Sequence, residues 1–199
     1  MDIKKAVENL EKRGFAVSHF ETKEKAAEYL LASIEDTTVG IGGSLTVDAL
    51  DIYDKLSKTN KEVYWHWKDT SAGVGEKAAA ARVYLSSANA VAETGEIINI
   101  DGRGNRIAAT LFDKDAVYIV VGINKFADSF DAALHRARNI AAPLNAQRLG
   151  TNTPCAAKAD KCHDCSSPER ICRGLTVLWG RMLGVKKTEV VIIDEAMGA

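Results

Sequence analysis

The chain contains four cysteines, and all of them lie within one stretch of 18 residues. A C-x2-C pair can chelate one metal, and two further thiolates complete a four-cysteine ligand set. We therefore expect these residues to bind one metal centre. Their spacing, C-x6-C-x2-C-x6-C, leaves zinc and an iron–sulfur cluster open, with reduced thiols or disulfides as the remaining alternatives. The residues are Cys155, Cys162, Cys165 and Cys172.

A glycine-rich loop, GIGGS at residues 40–44, follows a short apolar stretch and precedes a helical pattern. Glycine lets the backbone approach a ligand closely, and the free N–H groups at the start of a helix favour an anion. We expect Gly42, Gly43 and Ser44 to contact a phosphate or a carboxylate. The loop is not a P-loop, because no Lys-Ser or Lys-Thr pair follows at the required spacing. The alternative is a tight turn in which Ser44 only caps the helix.

A polar stretch with three glycines runs from Asn89 to Arg106 and predicts a hairpin that turns at Gly95 and leads into a helix. Glu93, Asn105 and Arg106 are its candidate ligand contacts, since an arginine can hold a carboxylate or phosphate through two hydrogen bonds. The glycines before the helix are similar to a dinucleotide fingerprint, but the third glycine of that fingerprint is missing. The alternative is a hairpin with Asx turns and a helix cap.

Two further candidates follow the most apolar stretch of the chain, residues 116–122. Asn124 and Lys125 come directly after it and are expected at the same crevice as the glycine loop. In the helical segment beyond, Arg138 and Asn139 have apolar neighbours, which makes them candidate pocket residues as well.

Two other polar residues are interpreted as structural. Arg136 fits a solvated helix face. His66, inside the sequence YWHW, fits a packed strand residue better than a catalyst.

The positions of these candidates depend on an alternation of helical and strand-like segments. Helices place apolar residues every three or four positions, whereas strands are short apolar runs bounded by glycine or polar residues. Helices are predicted over 2–13, 22–34, 45–57, 74–81, 105–112 and 128–149, the last interrupted near Pro143. Strands are predicted over 38–41, 62–66, 82–86, 116–122, 174–179 and 188–194, with the hairpin at 89–100.

This order predicts an α/β fold with a mostly parallel, open sheet that carries helices on both faces. Ligands bind outside the carboxyl ends of the strands in such sheets. The loops 42–44, 86–89 and 122–125 all follow strands, so we expect them to face one crevice. The chain is interpreted as a single domain over residues 1–199, with a cysteine-rich insertion at about 150–173.

The charge balance and hydropathy exclude several classes of protein. The 26 basic and 27 acidic residues give a net charge of −1, which argues against a nucleic acid as the main partner. No stretch approaches the ~18 apolar residues of a membrane span, and the first residues lack the apolar core of a signal peptide. We therefore expect a cytoplasmic protein without a membrane partner, in a compartment where disulfides are rare.

Five longer motifs together resemble the LUD-domain family, which includes lactate-utilisation protein C-like members. The resemblance covers almost the whole chain, from about residue 3 to residue 194. The motifs are GIGGS at 40–44, AETGEIINIDGRGNRIA at 92–108, VVGINK at 120–125, RNIAAPLNAQRL at 138–149 and TPC…CHDCSSPERIC at 153–172.

The resemblance implies a fold similar to the sugar-isomerase and CoA-transferase-like superfamily, in which strand-end residues bind phosphates, thioesters or carboxylates. It also implies a role in the oxidation of L-lactate to pyruvate alongside iron–sulfur partner proteins, with a small anionic ligand at the strand-end loops. It assigns no catalytic residue and leaves open whether the chain is an enzyme. The alternative is an enzyme or a regulatory module that acts on a phosphorylated or CoA-linked carboxylate and has a purely structural metal site.

Overall fold

The structure, a computed structural model, describes residues 1–199. A 3-10 turn at Ile123–Lys125 and a π-helical segment at Ala137–Ala141 supplement its regular helices and strands. The α-helices are α1 (Ile3–Lys12), α2 (Lys23–Ser33), α3 (Leu45–Asp48), α4 (Tyr53–Thr59), α5 (Val74–Ala80), α6 (Asn105–Leu111), α7 (Phe130–Arg136), α8 (Ala142–Arg148) and α9 (Pro154–Lys158). The strands are β1 (Ala16–Phe20), β2 (Thr38–Ile41), β3 (Glu62–Tyr64), β4 (Val83–Ser86), β5 (Ala90–Ala92), β6 (Ile97–Asp101), β7 (Lys114–Gly122), β8 (Phe126–Ala127), β9 (Gly174–Leu178) and β10 (Val185–Ile193).

Six strands form a large and entirely parallel sheet in the order β1-β10-β7-β4-β2-β3. In its centre β10 lies beside β7, with Val190 opposite Ile119 and Ile192 opposite Val121. Successive side chains of β7 point to opposite faces, so Ile119 and Val121 pack on one side and Val120 on the other. Parallel strands buried on both faces must be apolar at nearly every position, as these are. The predicted α/β fold with a mostly parallel sheet is confirmed.

Apolar clusters cover both faces of the large sheet. On one face Leu30 of α2 and Leu56 of α4 belong to the same buried cluster as Val120. On the other face Leu10 of α1 and Ile97 of β6 share a buried cluster with Ile119. None of the helices is both long and apolar enough to cross a lipid bilayer.

A second sheet of four strands, in the order β8-β5-β6-β9, lies against one face of the large sheet. Strands β5 and β6 form the predicted hairpin, and Gly95 in its turn has φ +94°, a conformation that favours glycine. The pairings of β6 with β9 and of β5 with β8 were not predicted. Ile98 and Ile100 pack with Ala133 of α7, so this sheet lies between the large sheet and α7.

Two predicted helices differ in detail. The helix predicted over 45–57 is divided into α3 and α4, because Asp51 adopts φ +51°, which a right-handed helix cannot contain. The long helix predicted over 128–149 is irregular at the π-helical segment, before Pro143 rather than at it.

Two strands also differ, and three elements were not predicted. The strand predicted over 62–66 ends at Tyr64, and the last strand begins at Val185 rather than at residue 188. Strands β1 and β8 and the short helix α9 were not predicted. Helix α9 begins where the Thr153 hydroxyl accepts a hydrogen bond from the Ala156 N–H.

We expect truncation of the central strand to destabilise the protein strongly. Ile119 is fully buried in β7, so Ile119→Ala should lower the free energy of unfolding by about 2–5 kcal/mol. The matched control is Leu183→Ala, because Leu183 is 94% exposed and its loss should cost no more than about 0.5 kcal/mol. Urea denaturation measures the free energy of unfolding of both variants. Equal losses of this free energy would show that the sheet centre is not the main core.

Candidate functional site

The carboxyl ends of the large sheet surround a small cavity of about 70 Å³, which adjoins a wider cleft of about 420 Å³. The loops after β2, β4 and β7 all contribute residues to the cavity, as the sequence predicted for one crevice. The cavity and the cleft together are called the strand-end cleft below. Six residues line both parts: Gly43, Trp67, Asn89, Arg106, Asn145 and Arg148.

Lys125 lies in the wall of the small cavity and connects the three loops. Its ammonium donates hydrogen bonds to Thr46 Oγ1 (2.9 Å), Ser87 Oγ (3.0 Å) and the Ala88 carbonyl oxygen (3.2 Å). Only 4% of the residue is exposed. Burial, with smaller effects from Arg136 and Arg106, lowers the pKa of Lys125 to about 7. Near neutral pH this lysine can therefore either hold or release a proton.

Arg106 lines both parts of the strand-end cleft and has no salt bridge. Its Nε atom is buried without a hydrogen-bond partner. The backbone around it is fixed by Asp101, whose carboxylate accepts hydrogen bonds from the N–H groups of Arg103, Arg106 and Ile107. A buried donor without a partner is costly, so this guanidinium is prepared for an acceptor from outside the protein.

Other cationic and aromatic side chains extend the strand-end cleft. Arg103 and Arg148 line its wider part, and Arg148 lies 5.5 Å from the centre of the Trp67 ring. His66 lines it too, and burial, with the charge of Arg103, lowers its pKa. Asp101 is the only acidic side chain that lines either part. Cationic side chains therefore outnumber acidic ones in the cleft, although Ala199, which carries the C-terminal carboxylate, also lines the small cavity.

The glycine loop lies at the inner end of this cleft. A Cβ atom at Gly43 would stand 3.2 Å from Trp67 Nε1 and 3.4 Å from His66 Nε2, so a side chain there would require these rings to shift. Ser44 lines the small cavity and caps α3 by accepting a hydrogen bond from the Val47 N–H. Helix α3 has only four residues, so its dipole is weak and the positive charge of the site comes from side chains.

Gly42 and Asn105 lie at the edges of the site. Gly42 itself lines neither part, and a Cβ atom there would stand 3.0 Å from both Ser86 Oγ and the Tyr84 hydroxyl. Asn105 lines the wider part. The neighbouring Tyr84 is buried, which raises its pKa to about 12.

Two of the predicted ligand residues lie elsewhere. Glu93 is at the hairpin turn facing α1, where it forms a salt bridge with Lys5 (2.7 Å) and accepts a hydrogen bond from the Asp2 N–H (2.7 Å). These partners lower the pKa of Glu93, led by Lys5. Asn124 holds the C-terminal residues, since its side chain bonds the Met197 N–H and the Gly198 carbonyl oxygen. Neither residue lines the strand-end cleft.

The interpretation of Arg136 as a solvated residue is wrong. Arg136 is 9% exposed, and its guanidinium donates to the carbonyl oxygens of Asn124 and Asn89. It therefore joins the loop after β7 to the loop after β4 beneath the strand-end cleft. Its pKa is lowered by burial.

The four cysteines lie around a different cavity, beside α8, and all are half-buried free thiols. Arg138, predicted as a pocket residue, lines this cavity, and the predicted Asn139 accepts a hydrogen bond from the Cys162 N–H (3.1 Å). No group of three or more histidine, cysteine or acidic side chains converges closely enough to hold a single metal ion. The predicted four-cysteine metal site therefore stays a prediction.

Several lining residues were missed by the sequence analysis. The interpretation of His66 as a packed strand residue is wrong, because β3 ends at Tyr64. His66 and Trp67 belong to a strand-end loop like the three predicted ones and line the strand-end cleft. Ser87 lay inside the predicted loop 86–89 and was not singled out. Arg148 had no local signal, because only the packing of α8 brings it to Trp67.

Comparisons with known proteins identify the fold and the family. The family model described as the LUD domain matches residues 3–193. A crystal structure of a DUF162 family protein from Deinococcus radiodurans is similar, with a TM-score of 0.57 and 14% sequence identity, over 96% of this chain and 95% of that one. At this identity the likeness supports the fold alone. The comparison with curated proteins gives no match.

We expect the buried Lys125 to make stability increase with pH. Its pKa is about 7 in the folded protein and 10.5 in the unfolded chain, so the unfolded state binds more protons between these values. The free energy of unfolding should therefore gain up to about 1.4 kcal/mol per pH unit from this residue across that interval. Lys125→Met should lack this contribution in urea denaturation at a series of pH values.

The matched control is Lys58→Met, because Lys58 is exposed on α4. It should keep the pH dependence of the wild type. If Lys125→Met also kept the wild-type pH dependence of the free energy of unfolding, Lys125 would have to stay protonated in the folded protein over the whole interval.

Proposed function

The chain belongs to the LUD domain family, and from this premise we propose that it binds a small carboxylate in the strand-end cleft during the oxidation of L-lactate to pyruvate. The observation that carries the proposal is Arg106. This cation lines the cleft without a salt bridge, and its Nε has no partner within the protein. Arginine binds carboxylates through paired, charge-assisted hydrogen bonds.

Neighbouring groups support the same ligand chemistry. Lys125 in the small cavity and Arg148 at its border add positive charge near Arg106. Ser44 and Ser87 line the cavity with hydroxyl groups, which suit the hydroxyl or oxo group of a 2-hydroxy or 2-oxo acid. Lactate and pyruvate each combine one carboxylate with such a group.

The reaction itself needs an electron acceptor. Oxidation of one lactate to pyruvate releases two electrons and two protons. In this proposal iron–sulfur partner proteins take the electrons. In its neutral form Lys125, with a pKa of about 7, is suited to receive one of the protons, because a base works best when its pKa is near the working pH. The other proton is released to solvent.

A second candidate ligand is a phosphorylated or CoA-linked carboxylate, bound by the chain as an enzyme or as a regulatory module. It is favoured by the wider part of the strand-end cleft, about 420 Å³, which lies within the usual range for ligand pockets. Arg103 and Arg148 supply charge there for phosphate groups, and Trp67 supplies an aromatic face.

We expect Arg106→Ala to weaken binding of L-lactate or pyruvate by about 1.5–3 kcal/mol, the range for a hydrogen bond to a charged group. Isothermal titration calorimetry with the purified chain measures this loss of affinity. The matched control is Arg82→Ala, which removes the same charge just before β4, at the opposite edge of the sheet, where Arg82 pairs with Asp113 and Asp115. The Arg82→Ala variant should bind L-lactate or pyruvate with the affinity of the wild type.

The same titration separates the two candidates. Binding of acetyl-CoA or a sugar phosphate, but of neither lactate nor pyruvate, would favour the second candidate. Equal affinities of the Arg106→Ala variant and the wild type would remove the basis of the first candidate.

We expect Gly43→Val to abolish the thermal stabilisation given by a bound anion while leaving the far-UV circular dichroism spectrum unchanged. The new side chain would press on Trp67 and His66 and close the junction between the two parts of the cleft. Gly75→Val is the control, since a Cβ at Gly75 meets no atom within 4 Å. If the Gly43 variant is still stabilised fully, the loop is a turn and does not form part of the site.

A further inference from the structure

We propose that a second cavity, rimmed by three arginines and lying on the small sheet beside α7, binds a carboxylic acid that carries an apolar body of several carbon atoms. The cavity has a volume of about 340 Å³ and is called the arginine cavity below. None of its arginines lines the strand-end cleft, so the proposal does not depend on the function proposed for that cleft. The arginines are Arg138, Arg170 and Arg173.

The floor of the arginine cavity is apolar, because α7 covers only part of the small sheet. Ile98 and Ile100 of β6 lie opposite Val177 and Leu175 of β9, so these four side chains share one face of the sheet. Ile98 is fully buried in the cluster that contains Ala133 of α7, whereas Leu175 is 48% exposed and lines the cavity together with Ile100. An apolar ligand would remove this open part of the sheet from water, as α7 does for the rest.

The rim of the arginine cavity carries positive charge that the protein does not neutralise. No acidic side chain lines the cavity. Arg138 has one long ion pair, with Asp164 at 3.7 Å, and 81% of that aspartate side chain is exposed to solvent. Arg170 and Arg173 form no salt bridge. Like charges around one cavity repel, and a bound anion would relieve this repulsion.

The guanidinium groups also keep hydrogen-bond donors free for a ligand. Arg170 donates through Nη1 to the Cys165 carbonyl oxygen (2.8 Å) and through Nη2 to Cys172 Sγ (3.4 Å), but its Nε atom is buried without a partner. Arg173 donates from Nη2 to the Pro168 carbonyl oxygen. Because a guanidinium has five N–H donors in a planar fork, each of these groups can still bind a carboxylate through paired hydrogen bonds.

Backbone contacts hold the rim in place. Arg138 belongs to the π-helical segment, in which the side chain of Asn139 accepts a hydrogen bond from the Cys162 N–H (3.1 Å). The Arg173 N–H donates to the Asp101 carbonyl oxygen (3.0 Å) just before β9 begins. The cavity therefore exists before a ligand arrives, which lowers the entropic cost of binding.

The charged rim and the apolar floor together select the class of ligand. A bare phosphate or sulfate would leave Ile100 and Leu175 uncovered, and a neutral alcohol would leave the guanidinium groups without a counter-charge. The volume of 340 Å³ lies at the lower end of the range for small-molecule pockets. A carboxylic acid with a medium-length apolar chain satisfies both parts of the cavity.

The test is isothermal titration calorimetry of the full chain with straight-chain acids from butanoate to octanoate. We expect the affinity to rise about fourfold for each added CH₂ group until the cavity is filled, because each CH₂ group is removed from water. Octanol, which has the same body without the charge, should bind about tenfold more weakly than octanoate or worse. Equal affinities of octanoate and octanol, or displacement of octanoate by inorganic phosphate, would overturn the proposal.

Variants at the rim show whether the acid binds there. Arg138→Gln and Arg173→Gln change exposed residues, and each should weaken octanoate binding about tenfold. The matched control is Arg82→Gln, which removes the same charge at the far edge of the large sheet and should leave the affinity unchanged. A loss of octanoate affinity in Arg106→Ala, with none in either rim variant, would place the acid in the strand-end cleft and refute the arginine cavity as its site.

A second measurement locates the ligand in the wild-type chain. Cys162 and Cys172 line the arginine cavity, whereas Cys155 and Cys165 line only the adjoining cavity between the four cysteines. Saturating octanoate should slow the alkylation of the first pair by iodoacetamide several-fold and leave the initial rates of the second pair unchanged, as measured by peptide mass spectrometry of the reduced chain. Protection of all four thiols, or of none, would contradict binding in this cavity.

Discussion

The arrangement at the carboxyl edge of the sheet depends on the buried ammonium of Lys125. A cation removed from water is costly unless its donors are satisfied. Here the acceptors are Thr46, Ser87 and Ala88, which belong to the loops after two different strands, while Lys125 itself follows a third. Strand order brings these loops close together, and the lysine joins all three of them, while Arg136 joins the loops after β7 and β4 a second time. Lys125 therefore helps to hold the walls of the cavity that Arg106 lines.

Much of the fold follows from local patterns, and the exceptions have physical causes. Strands β7 and the end of β10 are apolar at nearly every position, because both faces are covered, and this signal is strong. Strand β1 lies at the sheet edge and contains Ser18 and His19, so its apolar signal is weak. The small sheet relies on two-residue β8 and on β9, about 75 residues beyond its partner β6, and such long-range pairing leaves no local trace.

The candidate site could be predicted from the sequence where its residues lie in loops that follow strands. Gly43, Ser44 and Lys125 were found because strand-to-helix loops gather at one edge of a parallel sheet. Arg106 was found because an arginine at the start of a helix can hold a carboxylate or phosphate. Glu93 was not distinguished from them, since nothing in the hairpin sequence reveals that its turn faces Lys5 of α1. Arg148 depends on how α8 crosses the cleft, which is a matter of packing rather than of sequence pattern.

The π-helical segment connects the two regions of chemical interest. Just before it, Arg136 points to the loops beneath the strand-end cleft, whereas Arg138 within it reaches Cys162. The extra residue per turn of a π-helix changes the direction of the following side chains, and such segments are frequent at functional sites. Ala142 and Ile171 line both the strand-end cleft and the cysteine cavity, so the two regions adjoin at these side chains and share the packing of α8.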